Sequence, residues 1–146
     1  ALVPELTKHN LTLVLETHGY DHGTGVVLAD VVRRVGSPCV KINYDTANVI
    51  FYGGADPVRD LAGCVADVGY LHLKDKAGAP TEWNFPALGE GKVDFPGIFR
   101  VLEQADNLSP FSVEVEFTQA GPADVAEVDR AMAASAAYLT AQGFAL

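Results

Sequence analysis

A chain of 146 residues has the length of one domain, and with 49% hydrophobic residues it can bury a core. Its formal charge of −9 argues against nucleic acid and anionic membrane surfaces, which need clustered Lys and Arg. No run approaches the ~20 apolar residues of a membrane span, the N-terminal ALVPELTKHN lacks a signal peptide's apolar stretch, and Cys39 and Cys64, without metal-type spacing, read as buried free thiols of a cytoplasmic protein.

The first strand-like run is LTLVLE, residues 11–16. TGVVLADVVRRVGS then spaces its apolar residues as a helix does, with Gly36 as the stop. A second strand, CVKINYD (39–45), precedes a helix in ADPVRDLAGCVADVG, where Asp56 is the N-cap and Pro57 the first helical residue. The third strand is GYLHLKD (69–75). An irregular stretch, about 76–93, follows it, and loops of that length in compact domains are usually functional. VDFPGIFRVLEQAD repeats the capped-helix design with Asp94. The fourth strand is PFSVEVEF (110–117), and an Ala-rich helix within 121–143 closes the chain with Val125, Val128, Met132 and Leu139 on or near one stripe. Strands alternating with helices predict an α/β fold with a parallel sheet, in a single domain spanning 1–146.

Each strand has one apolar face, and a second face that turns polar near its C-terminal end. Helices covering both faces of an open sheet would need both apolar. A barrel interior differs: its site is built from residues at the C-terminal ends of several strands. The pattern therefore predicts a TIM (β/α)8-barrel type, of which this chain supplies four β/α units. The strand ends deliver Glu16, Asp45, His72 and either Glu114 or Glu116 to one face. Carboxylates crowded together retain protons unless a cation neutralises them. Oxygen ligands with one imidazole suit Mn2+, Mg2+ or Co2+, with Zn2+ also feasible.

In order and spacing, LVLETHG, INYDTANVIFYGGADPV, YLHLKD, LGEGKVDFPGIF and FSVEVEF resemble the C-terminal half of the xylose isomerase-like (AP endonuclease family 2 type) sugar phosphate isomerase/epimerase superfamily. The resemblance implies that Glu16, Asp45, His72 and Glu114 ligate one divalent metal, and favours Glu114 over Glu116. It also implies that Glu16 and Glu114 relay a proton through an enediolate. His18 and Lys74 are candidates for binding substrate oxygens, Trp83 is a candidate lid, and Asn48 stands where some epimerases carry a second histidine. Lys74 and Asp75 are expected at the barrel's rim, and Glu90 in a turn. The implied function is a metal-dependent isomerase or epimerase of a sugar, sugar phosphate or related hydroxy-ketone. The alternatives are a non-catalytic metal-binding half-barrel, a polyol dehydratase and an apurinic-site endonuclease. The last conflicts with the acidic charge and with only four histidines. Open sheet edges predict a homodimer or pairing with a separate N-terminal half.

Overall fold

The computed structural model describes residues 2–145. The elements in order are α1 (Val3–Lys8), β1 (Leu13–Glu16), α2 (Gly25–Val35), β2 (Val40–Asp45), α3 (Thr46–Phe51), α4 (Pro57–Cys64), β3 (Val68–Lys74), β4 (Asn84–Phe85), α5 (Phe95–Gln104), β5 (Phe111–Glu114), β6 (Phe117–Thr118) and α6 (Val125–Ala141). Strands β1, β2, β3 and β5 form one sheet in that order, every pair parallel. Register sets Glu16 beside Asn43, Asp45 beside His72, and Lys74 beside Glu114. The C-terminal ends of four strands thus meet along one line.

Helix starts follow the side-chain chemistry. Thr24, Asp56 and Asp94 each accept a hydrogen bond from the backbone N–H three residues on, capping α2, α4 and α5. Gly36 ends α2 with φ 65°, a left-handed conformation that costs glycine little. The outward face of the sheet is dry. Ile42, Tyr44, Leu71 and Leu73 are fully buried against Leu28, Leu61, Phe95 and Ile98 of the covering helices. Tyr44 still satisfies its hydroxyl, donating to Pro57 O at 2.7 Å. Asp60, buried on α4, accepts from Gly25 N at 2.7 Å and Val26 N at 3.3 Å, which locks α4 to the start of α2.

Several boundaries differ from the sequence reading. Helices α1 and α3 were unexpected. The α3 turn forms because Asp45 caps it directly after β2, leaving no loop for the eye to find. β1 begins at Leu13, and Leu11 is exposed. The fourth strand stops at Glu114. The chain then turns at Phe117, whose φ of 61° is strained for a non-glycine residue, and β6 pairs antiparallel with β4 from the long irregular segment. The apolar stripe expected on α6 is only partly used. Leu139 is buried, but Met132 and Val125 are exposed, Val125 to 76%. The helix touches the core through its C-terminal part, where Ser135 Oγ accepts from Leu88 N at 3.0 Å. Cys64 is buried as expected, whereas Cys39 is only half-buried; both are free thiols. No described helix is long and apolar enough to cross a membrane.

Candidate metal centre

Glu16 ends β1, Asp45 ends β2, His72 lies one turn of the pleat before the end of β3, and Glu114 ends β5. One ligand atom from each of these four lies within 4.8 Å of the others. His72 Nδ1 is the hub, at 2.7 Å from Glu114 Oε2, 3.1 Å from Glu16 Oε1 and 3.8 Å from Asp45 Oδ2. The strand ends are cross-tied by hydroxyls. Thr17 Oγ1 accepts from Asp45 N and donates to Asp45 O, and Thr46 Oγ1 does the same for the backbone of Lys74.

Asp45 divides its carboxylate between structure and site. Oδ1 accepts from Ala47 N at 3.0 Å and Asn48 N at 2.8 Å, capping α3. Oδ2 is fully buried and has no hydrogen-bond partner. An orphaned buried carboxylate oxygen is costly unless a charge meets it. Burial raises the Asp45 carboxyl to about 7, against the pull of Lys74. His72 is raised to about 10 by its contacts with Glu114 and Glu16, and Glu114 is lowered to about 2 chiefly by His72. Without a metal, protons hold this cluster together. Three carboxylate oxygens and one imidazole nitrogen, one oxygen unsatisfied, form a donor set that fits a hard or borderline divalent cation.

Lys74 and Asp75 do not lie on a solvated rim; they are 2% and 1% exposed. Lys74 Nζ sits 2.9 Å from Glu114 Oε1, 2.7 Å from Glu116 Oε2 and 3.7 Å from Asp45 Oδ2, and 4.5 Å over the Phe85 ring. Burial opposes its charge, but the three carboxylates outweigh burial and raise it. Lys74 engages both Glu114 and Glu116, and it is Glu114, whose second oxygen reaches His72, that completes the four-residue cluster. Asp75 points away from the cluster. It accepts from Lys76 N, Gly89 N, Gly91 N and Val93 N, pinning the long segment 76–93 at both ends. That use explains the LGEGKV sequence: a side chain at residue 91 would run into the Asp75 carboxylate. Glu90 sits in the turn between, as expected, its N–H donating to Ala87 O.

A cleft of about 270 Å3 opens beside the cluster and reaches Glu16, His72 and Glu114. His18, Asn48, Lys74 and Trp83 all line it. His18 is exposed and packs on Tyr52, ring centres 4.6 Å apart, and Trp83 stands edge-on to Phe51 and Phe85. Tyr52 and Glu116 line the cleft too. Tyr52 was missed because it follows the unforeseen helix α3. A larger groove of about 510 Å3 follows β5 on the other face, lined largely by Leu71, Leu73, Phe99, Leu102 and Phe111, away from the cluster.

Residues 1–141 match the profile of the xylose isomerase-like TIM barrel family, and the chain belongs to that family. No curated protein matches the sequence. Among solved structures it is similar to a xylose isomerase domain protein from Planctomyces limnophilus, at TM-score 0.76 and 25% identity, over 96% of this chain and 48% of the other. It is also similar to a D-allulose 3-epimerase from Methylomonas sp. in complex with D-allulose, at 0.70 and 18% over 98% and 52%. A probable 3-DHS dehydratase from Bacillus anthracis matches at 0.64 and 22% over 77% and 46%. The chain spans about half the length of these structures. The parallel four-stranded sheet agrees with part of such a barrel.

Proposed function

We propose that this chain carries the metal-binding part of a divalent-metal-dependent isomerase or epimerase acting on a sugar or related hydroxy-ketone. The carrying observation is the convergence of Glu16, Asp45, His72 and Glu114 within 4.8 Å, with Asp45 Oδ2 buried and unpartnered. Epimerases among the structural neighbours support the same reading. Bound there, Mn2+, Mg2+, Co2+ or Zn2+ would polarise a carbonyl and its neighbouring hydroxyl as a Lewis acid.

The chain's own residues supply the proton transfers. Glu16 and Glu114 come from the first and last strands of the sheet and flank His72. One of the pair, as the carboxylate, removes the proton from the carbon beside the carbonyl, giving an enediolate and a carboxylic acid; the other, entering the step as the carboxylic acid, returns its proton and becomes the carboxylate. Lys74, 2.9 Å from Glu114 Oε1, favours the ionised form of Glu114, the form a base requires. Lys74, buried between Glu114 and Glu116, fixes the direction of both carboxylates. His18, Asn48 and Trp83 border the cleft where a small polyol would lie, with Tyr52 completing an aromatic wall.

The test follows the proton. In its full reading frame and with Mn2+ supplied, the protein is incubated in D2O with a panel of ketoses, and deuterium is read by mass spectrometry. Incorporation at the carbon next to the carbonyl is expected, and Glu16→Gln should reduce it by about 100-fold or more. Turnover without solvent exchange, or equal exchange by Glu16→Gln, contradicts the reading.

A further inference from the structure

The metal reading places a demand on His72 that reaches beyond the four ligands. Nδ1 is the ring atom that faces Glu16, Asp45 and Glu114. A neutral imidazole carries a single proton, so a ring that offers the Nδ1 lone pair must hold its proton on Nε2. Nε2 faces away from the cluster, toward one side chain: the Asn43 amide, whose Nδ2 lies at 3.1 Å. Asn43 is on β2, two residues before Asp45, and is 6% exposed. Its Oδ1 is buried with no hydrogen-bond partner.

With Nδ2 facing Nε2, the amide donates, and the ring proton sits on Nδ1, where it blocks a cation. Turning the amide through 180° exchanges an NH2 group for an oxygen of nearly the same size, so packing is unchanged. Oδ1 then meets Nε2–H, and the unpartnered oxygen gains its donor. The ring itself is held meanwhile: Tyr70 stands edge-on to it, centres 5.9 Å apart.

We propose that Asn43 is a positioning residue whose side-chain carbonyl accepts from His72 Nε2–H, fixing the tautomer in which Nδ1 is free to bind the metal. This rests on the metal reading given above. Partners of this kind, which hold the second nitrogen of a ligating histidine, commonly change metal affinity 10- to 100-fold when removed.

The experiment uses diamagnetic Zn2+ as the probe and 15N-labelled protein. Long-range 1H–15N correlation should show His72 with a protonated Nε2, its hydrogen protected from exchange. Asn43→Leu, which keeps the volume and removes the acceptor, should lose that protection and bind Zn2+ about 10- to 100-fold more weakly. Asn43→Asp restores the acceptor and should return both the protected signal and tight binding. If Asn43→Leu does not fold, Asn43→Asp carries the test, since a stronger acceptor must move the Nε2–H resonance downfield. An unmoved resonance, or an Asn43→Leu protein with the parent's Zn2+ affinity and protected proton, overturns the proposal. A parent chain that binds no Zn2+ overturns the metal reading itself, a result distinct from a failure at Asn43 alone.

Discussion

His72 Nδ1 and Glu114 Oε2 lie 2.7 Å apart, so the space between them holds a proton or is opened for a cation, but not both. His72 is raised from its ordinary 6.5 to about 10 by Glu114 and then Glu16. That stabilises the metal-free fold fully below pH 6.5, and the stabilisation is lost as pH rises through about 10. Metal binding must displace this proton. Calorimetry at pH 7 in buffers of differing ionisation enthalpy should therefore report release of about one proton or more per metal bound. The metal-induced rise in Tm should also grow between about pH 6 and pH 9. Metal binding with no proton release contradicts this arrangement.

Asp45 serves the helix with one oxygen and the site with the other, and two substitutions separate the roles. Asn can still accept at the N-cap of α3, and it removes a buried charge that lacks a hydrogen bond at Oδ2. Asp45→Asn should leave the metal-free protein as stable as the parent or more so, and should sharply weaken metal binding. Asp45→Ala loses the cap and should cost about 1–2 kcal/mol in urea unfolding. Equal destabilisation by both variants would mean that the charge, not the cap, holds this end of β2.

Asp75 gives the long segment its shape through four backbone N–H groups. Asp75→Ala strands several of those donors and should cost roughly 3 kcal/mol. Trp83 is the only tryptophan, so its emission reports the segment directly. A red shift in Asp75→Ala under native conditions is expected. Emission identical to the parent's would show that the segment keeps its place without Asp75.

The site was legible because period-two alternation puts every second residue on one face, and the four strand ends carry polar residues at matching positions. Glu16, Asp45 and His72 could be read that way before any coordinates, but Glu114 and Glu116 share a face, and only the family likeness favoured Glu114. Asn48 was singled out by the family likeness and Trp83 as a lid aromatic of the long loop, and both line the same cleft. Burial was not legible. Lys74 looks like a rim residue in sequence because lysine is usually solvated, and the neighbouring strands' Asp45 and Glu114, with Glu116 beyond, make an interior ammonium tolerable. Asp75 was expected at the rim beside Lys74, but it is buried and its partners are backbone groups up to 18 residues away, which no pattern of side chains announces. Asn43 was hidden for a similar reason: its importance lies in which atom of His72 it meets.

β1 and β5 each pair on one side only within the four-stranded sheet. Their free sides carry unpaired backbone groups, which recruit partners or aggregate. Val14, Asn43 and Tyr70 point to the face that an opposing wall fills in a closed barrel. We expect the 146-residue chain to associate, either as a two-fold dimer or with a separate N-terminal half. Sedimentation equilibrium at low micromolar concentration tests this. A folded, monodisperse monomer of 15.5 kDa would contradict it.

Mn2+ titration of the metal-stripped chain, followed by electron paramagnetic resonance of the free ion, tests the central claim most directly. The account predicts one tight site per chain, abolished in His72→Ala while the variant still folds. If folded His72→Ala takes up Mn2+ as well as the parent does, the four strand-end residues are not the metal site.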